Sequence, residues 1–139
     1  MERILAIDYG QKRIGVAVSD PNRIIATALG TVNNGDIFQF LGEYIAKNPC
    51  QQLVVGYPKN LRNEPADIVP EIEKFIAIFL ERFPHIDVVR YDERFTSKMA
   101  FQTMIDSGIS KKRRQEKSLI DKISATILLE NYLESLRGL

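Results

Sequence analysis

Two short apolar stretches separated by a polar turn open the chain. Residues 4–7 are apolar at every position, which is typical of a central strand covered on both faces. Residues 14–18 follow after Gly10 and a basic turn, and this spacing predicts an antiparallel partner strand. Residues 24–29 come after the turn signal Asp20-Pro21-Asn22 and predict a third strand of the same meander.

Helical and strand patterns alternate along the rest of the chain. Apolar residues at helical spacing predict helices at 37–47, with Asp36 as N-cap, from residue 67 to about 81, at 97–108 and at about 117–136. Short apolar runs predict strands at 53–56 and 86–91. This order predicts one α/β domain over residues 1–139, with a mixed five-stranded sheet and helices on both faces.

Composition narrows the kinds of site that the chain can carry. With 139 residues it is long enough to bury a core without disulfides. A single Cys and a single His exclude an internal disulfide and argue against a Cys/His zinc site, so oxygen ligands would have to hold any metal. The sequence has no apolar run of membrane-spanning length and no leader pattern, which predicts a cytoplasmic protein.

Positive charge is concentrated in one part of the chain. The net charge is only +1, but residues 94–122 contain eight basic and three acidic residues, a local net charge of +5. For a nucleic-acid partner, the position of the positive charge along the chain therefore matters more than the net charge.

Three carboxylates are expected to meet at one edge of the sheet. Asp8 directly follows the first strand and Glu93 the last, and sites in α/β sheets form at the carboxyl ends of strands. Asp121 heads the apolar stripe of the last helix and should face the sheet; the stripe continues through Ala125, Leu128 and Tyr132. Each acid also has a simpler interpretation: Asp8 as a turn residue, Glu93 as a solvated charge, and Asp121 as a favourable charge near the helix start.

A divalent cation would relieve the repulsion between three such carboxylates. Oxygen-only ligands favour Mg²⁺ or Mn²⁺, which activate water and stabilise the leaving oxygen in phosphoryl-transfer chemistry. The pattern thus predicts a phosphodiester substrate, that is, a nucleic acid.

Four motifs in order resemble one known family. They are DYGQKRIGVAVSD at 8–20, GYP at 56–58, YDERFTSKMA at 91–100, and KRR followed by IDKISATILLENYL within 112–133. Together they resemble the Holliday-junction-resolvase-like pre-16S rRNA nucleases, a branch of the ribonuclease H-like superfamily. The resemblance implies a ribonuclease H-like fold, metal-dependent nuclease activity and a part in maturing the 5′ end of 16S rRNA, with cleavage of branched DNA as the alternative.

The resemblance also assigns the acids. Asp8, Glu93 and Asp121 match the family's acidic positions, but Asp92 adjoins Glu93 in the same motif, and either of the two is a candidate ligand. Other members of the superfamily carry an acid at the end of the fourth strand, where this chain has residues 56–58, GYP. The second ligand is therefore less firmly assigned than Asp8.

Basic residues near the acids are candidate substrate contacts. Lys12 and Arg13 lie in the turn after Asp8 and are placed to hold a phosphate, and the planar fork of Arg94 suits a carboxylate or a phosphate. A basic connector precedes Asp121 and is expected to guide the nucleic-acid backbone; it consists of Lys111, Lys112, Arg113 and Arg114. The alternative is that these charges are only solvated.

Two other classes of protein are compatible with parts of the pattern. Nucleotide-binding domains of the sugar-kinase and actin type also begin with Asp-x-Gly, but they need two such domains, and this chain provides one. A non-catalytic nucleic-acid-binding module of the same fold is the second alternative, although the three acids argue against it. The sequence does not distinguish a monomer from a homodimer.

Overall fold

The computed structural model describes residues 2–57, 67–92 and 117–137, and within the last helix it describes side chains from residue 123 onward. The strands are β1 (Arg3–Asp8), β2 (Arg13–Ser19), β3 (Ala26–Asn33), β4 (Cys50–Tyr57) and β5 (Asp87–Asp92). The helices are α1 (Ile37–Lys47), α2 (Val69–Arg82) and α3 (Lys117–Leu136), and a short 3₁₀ turn, Asn34–Asp36, precedes α1.

A mixed five-stranded sheet organises these elements, in the order β3-β2-β1-β4-β5. β1 is antiparallel to β2, and β2 is antiparallel to β3. β4 is parallel to both β1 and β5. The predicted meander followed by parallel strands is confirmed, and β1 is the central strand.

The side chains of β1 enter two separate cores, one on each face of the sheet. Leu5 and Ile7 pack with α1 and α2, whereas Ile4 and Ala6 pack with α3. All four side chains are 0% exposed. This alternation explains the uninterrupted apolar run in the sequence, because a strand covered on both faces has no solvent-facing position.

The third strand lies further along the chain than predicted. We expected residues 24–29, but β3 spans Ala26–Asn33. The Asp20 carboxylate accepts the backbone N–H groups of Ile24 and Ile25 at 2.7 and 2.8 Å, so these groups bond within the turn and not in the ladder. The side chains of Ile24 and Ile25 are 60% and 61% exposed.

At its other end, β3 continues through Gly30 and beyond the predicted last residue, 29. Gly30 has a φ of 148°, and the β2–β3 register shifts between Val16 and Ala17. A bulge of this kind lets a strand bend and continue pairing, here as far as Asn33.

The predicted helices agree with the structure wherever it describes them. α1 and α3 have the expected bounds, and α2 begins at Val69, two residues after the predicted start, with Pro70 in its first turn. The expected capping by Asp36 is wrong in one respect, since its side chain makes no hydrogen bond to the helix. Instead, the 3₁₀ turn Asn34–Asp36 leads the chain into α1, and the Ile37 N–H donates to the Asn34 carbonyl. The helix predicted at 97–108 lies outside the described residues.

A membrane-spanning role finds no support in the described helices, none of which combines the length and the apolar character that crossing a bilayer requires.

Cys50 gives the fold a testable dependence on pH. The thiol is 1% exposed at the start of β4 and donates to the Asn48 carbonyl at 3.1 Å. Burial raises the pKa of Cys50 from 9.0 to about 11. The unfolded chain therefore loses this proton first, so the contribution is intact below pH 9 and is lost as the pH rises towards 11.

We expect the free energy of unfolding to fall over this range, with Cys50 accounting for up to about 3 kcal/mol. Urea unfolding curves at pH values below 9 and near 11 measure the change. Cys50→Ser keeps the size and a donor for Asn48 but removes the titration, so its curve should fall less steeply. An equal fall in both proteins would contradict the assignment.

Candidate active site

Asp8 ends the central strand at the carboxyl edge of the sheet and is half-buried. It pairs with Gly15 on β2, and the Ile7–Val55 register places it beside Gly56 on β4. Both glycines lie on the same sheet face as Asp8, because residues at one level of a sheet share a face. The neighbouring strands thus place no side chain on either side of the carboxylate.

The face that carries Asp8 is the one covered by α3. Ile4 and Ala6, four and two residues before Asp8, pack against Ala125 and Leu128 of this helix. Since strand residues two apart share a face, Asp8 lies on the α3 side.

The direction of α3 follows from contacts at its far end. Tyr132 donates its hydroxyl to the Gln52 side chain at 3.0 Å, and Gln52 lies beside Ile4 at the start of β1. Arg137, further along the helix, lines a cavity with Ala26 at the same edge of the sheet. The helix end therefore lies at the amino edge of β1, and the helix start lies towards the carboxyl edge.

Asp121 falls at the level of Asp8 by this geometry. It precedes Tyr132 by eleven residues, about 16 Å of helix at roughly 1.5 Å per residue. Gln52 and Gly56 are about 13 Å apart along β4 at roughly 3.3 Å per residue. The predicted stripe is confirmed, since Ala125, Leu128 and Tyr132 are buried. The backbone of Asp121 belongs to α3, and its side chain lies outside the described part.

Asp92 is on the opposite face of the sheet from Asp8. Within β5, Tyr91 packs on Tyr132 of α3, with ring centroids 5.8 Å apart. Arg90 bonds to Glu73 of α2 at 2.7 Å, which puts it on the other face. Asp92 follows Arg90 by two residues and is exposed, so it shares the α2 face. Glu93 and Arg94 lie outside the described residues.

The end of β4 supplies a tyrosine on the α2 face instead of an acid beside Asp8. Tyr57 donates its hydroxyl to Glu73 at 2.9 Å, and the same carboxylate accepts two bonds from Arg90. The Arg90 guanidinium lowers the pKa of Glu73, while burial, together with Glu73, raises the pKa of Tyr57. This network ties α2 to β4 and β5. β4 therefore places no acid beside Asp8.

The turn between β1 and β2 carries the predicted basic residues. Lys12 is exposed at the tip. Arg13 shares the sheet face of Gly15 and Asp8, and the register makes it the diagonal neighbour of Asp8. The connector residues Lys111, Lys112, Arg113 and Arg114 lie outside the described part of the chain.

Asn34 holds this turn, and sequence reasoning missed it. Its side-chain amide donates to the Gly10 carbonyl at 2.8 Å, and its backbone N–H donates to the Lys12 carbonyl at 2.9 Å. The only sequence signal is an Asn-Gly pair in the loop before α1, which indicates a turn but not its partner 24 residues away.

The donor set available for a metal is limited to oxygen. Among the side chains that the structure describes, no three His, Cys, Asp or Glu residues come together. Of the three predicted ligands, only Asp8 has a described side chain. Ser124, one turn after Asp121, is 0% exposed, and its hydroxyl has no hydrogen-bond partner in the described structure. The layer between α3 and the sheet is thus polar as well as apolar near this edge, which suits a hard cation.

Two solved structures of Thermus thermophilus RuvC have a similar fold. One, titled as a complex with Holliday junction substrate, has a TM-score of 0.58 and 15% identity, covering 99% of this chain and 97% of that chain. The other has a TM-score of 0.56 and 14% identity, covering 98% and 96%. The chain therefore has a ribonuclease H-like fold, as the resemblance of its motifs implied.

The family follows from closer matches. The family model described as "RuvX: Holliday junction resolvase" matches residues 2–135, and the chain belongs to this family. A Flavobacterium johnsoniae protein is 52% identical over 137 residues, and a Bacteroides thetaiotaomicron protein is 48% identical over 137 residues. Each match covers 99% of both proteins, and both relatives are named "Putative pre-16S rRNA nuclease". The predicted family and the predicted enzyme class, a nuclease, are confirmed.

Gly10 offers a test of how the turn holds the site. A Cβ at this position would lie 2.3 Å from the Arg13 carbonyl oxygen, a backbone atom that cannot move without opening the turn. We expect Gly10→Ala to lower the free energy of unfolding by about 1–3 kcal/mol. Gly35→Ala is the matched control, since nothing lies within 4 Å of its Cβ position, and its stability should stay within about 0.5 kcal/mol of wild type. Equal melting temperatures for the two variants would contradict this account.

Proposed function

We propose that the chain is a divalent-metal-dependent nuclease that cleaves phosphodiester bonds at the edge where β1 ends. One observation carries the proposal. Asp8 stands between two glycines on the sheet face covered by α3, and α3 runs so that Asp121 falls at the same level.

Asp8, Glu93 and Asp121 are the residues that we assign to the ion, Mg²⁺ or Mn²⁺. Successive strand residues alternate between faces, and Asp92 belongs to the α2 face. We therefore assign Glu93, rather than Asp92, as the acid from the β5 end. When bound, such an ion activates water and stabilises the leaving oxygen. The glycine positions beside Asp8 leave space for the scissile phosphate. The candidates to bind the adjacent phosphates are Lys12, Arg13 and Arg94.

For the substrate we propose precursor 16S rRNA, because relatives 52% and 48% identical to the chain are named for it. The motif resemblance points to its 5′ region. Branched DNA is the alternative, favoured by the description of the family model. We further propose that residues 1–139 work as one domain in the cytoplasm, as a monomer or a homodimer.

Replacing the acids one at a time should distinguish those that bind the metal ion from those that do not. Asp8→Asn, Glu93→Gln and Asp121→Asn should each abolish detectable cleavage, because each removes a charged oxygen ligand. The measurement uses end-labelled precursor rRNA and a four-way DNA junction, each with Mg²⁺, with Mn²⁺ and with chelator.

Asp92→Asn is the matched control, an acid next to Glu93 but on the other sheet face, and it should cleave at nearly the wild-type rate. Mg²⁺ should also raise the melting temperature of wild type and of Asp92→Asn, but less so for Asp121→Asn. Wild-type cleavage by Asp8→Asn would refute the site. Binding without cleavage in the wild type would support a non-catalytic module.

The basic connector should act on affinity rather than on chemistry. Each phosphate contact contributes a log-log salt slope of about −0.7 on single strands. Replacing all four residues (Lys111, Lys112, Arg113 and Arg114) with Ala should flatten the slope by up to roughly three units. The maximal cleavage rate should change much less.

Binding of labelled RNA across a salt series measures the slope. Lys47→Ala is the control, because Lys47 ends α1 near the amino edge of the sheet, far from Asp8. Parallel lines for wild type and the fourfold variant would show that the connector contacts no phosphate.

A further inference from the structure

A cavity of about 340 Å³ opens beside the β1–β2 turn, on the opposite sheet face from Asp8. The turn forms one wall, the start of α1 another, and α2 the third. The residues used below are Tyr9, Gln11, Asn34, Phe38, Glu71 and Lys74. The volume lies at the lower end of the range typical of small-molecule sites, roughly 300–1,000 Å³.

An aromatic cluster lines one side of this cavity. Phe75 of α2 is 4% exposed and packs on Tyr9 and on Phe38, with ring centroids 5.4 and 5.0 Å apart. Phe38 is also covered by the Arg82 guanidinium, 4.8 Å from its ring centroid. Tyr9 is thus the ring in the cluster with which a flat ligand can stack.

Polar groups surround the ring. Gln11 donates to Glu71 at 3.4 Å, which joins the turn to α2 at the cavity rim. Glu71 provides acceptors and Lys74 provides donors, while Asn34 contributes an amide whose NH₂ group is committed to Gly10. A ligand with a flat apolar face and an edge of donors and acceptors matches this lining.

The position of Tyr9 connects the cavity to the candidate active site. Tyr9 directly follows Asp8, with the two Cα atoms about 3.8 Å apart. Asp8 belongs to the α3 face, whereas Tyr9 packs into the core under α1 and α2. A nucleotide next to a phosphate held at Asp8 is therefore within reach of the edge of this cavity.

We propose that the cavity binds one unpaired base of the substrate, stacked on Tyr9, next to the scissile phosphate. This inference rests on the proposed nuclease function and narrows its substrate class. A paired base cannot enter, because its edge is used by its partner and its faces by its neighbours. The nuclease is accordingly directed to single-stranded or locally unpaired sites.

The test combines base removal with ring removal. A set of single-stranded RNAs with the 5′-end sequence of the rRNA precursor carries one abasic ribose, at a different position in each. Affinity is measured by fluorescence anisotropy in chelator, where no cleavage occurs, and the cleavage rate is measured separately with Mg²⁺.

For the wild type we expect one position near the cleavage site at which base loss weakens binding by about 5- to 150-fold, the range found for base–aromatic stacking. Tyr9→Leu should lose this penalty, and Tyr9→Phe should keep it. Tyr44→Leu is the matched control, because Tyr44 is a half-buried ring of α1 that lines a different cavity, and it should behave as wild type.

Because each variant is compared with itself on intact and abasic RNA, a general loss of stability cancels. Equal penalties in wild type and Tyr9→Leu at every position would overturn the inference. If the wild type cleaves RNA but the penalties are equal, only the base-binding inference fails. If the penalty depends on Tyr9 but the wild type does not cleave, only the proposed nuclease activity fails. Absence of RNA binding by the wild type would contradict both.

Discussion

Complete burial of the central strand is the constraint on which the rest of the structure depends. Residues Ile4, Leu5, Ala6 and Ile7 have no exposed surface, so the strand must pair on both sides and pack on both faces. An unpaired charge within it would be costly, and the Asp8 carboxylate stands where the buried run ends. The burial of residues 4–7 therefore explains why Asp8 lies at the edge of the sheet. The adjoining turn, meanwhile, is held by Asn34 through the carbonyls of Gly10 and Lys12.

Small residues on the neighbouring strands decide what that edge can accommodate. Gly15 and Gly56 flank Asp8 at the same level of the sheet, and Tyr91 lies one strand further on. Larger side chains at the two glycine positions would fill the space beside the carboxylate. The same arrangement explains why a fourth-strand acid is absent here, since the β4 residue on this face has no side chain and Tyr57 faces α2. In the site proposed above, the remaining oxygens therefore come from the β5 end and from α3.

Local patterns predicted most of the fold, and long-range contacts account for what they missed. The runs in β1 and β2 and the stripe of α3 are set by burial, which leaves a clear period in the sequence. The start of β3 depends on the Asp20 carboxylate, and its end on a bulge at Gly30, neither of which has a hydrophobic signature. Among the site residues, Asp8 could be predicted as the end of a buried run. The face of Asp92 could not, because it depends on contacts of Arg90 and Tyr91 with different helices.

The alternation of a strand between two faces gives the edge of β1 two chemical characters within two residues. Asp8 lies on the face of α3, where the neighbouring strands present glycines. Tyr9 lies on the face of α1 and α2, where Phe75 supports its ring. A one-residue shift of β1 would exchange the two side chains and destroy both surfaces. The register of β1 with β2 and β4 therefore fixes the positions of the acid and the aromatic surface relative to each other.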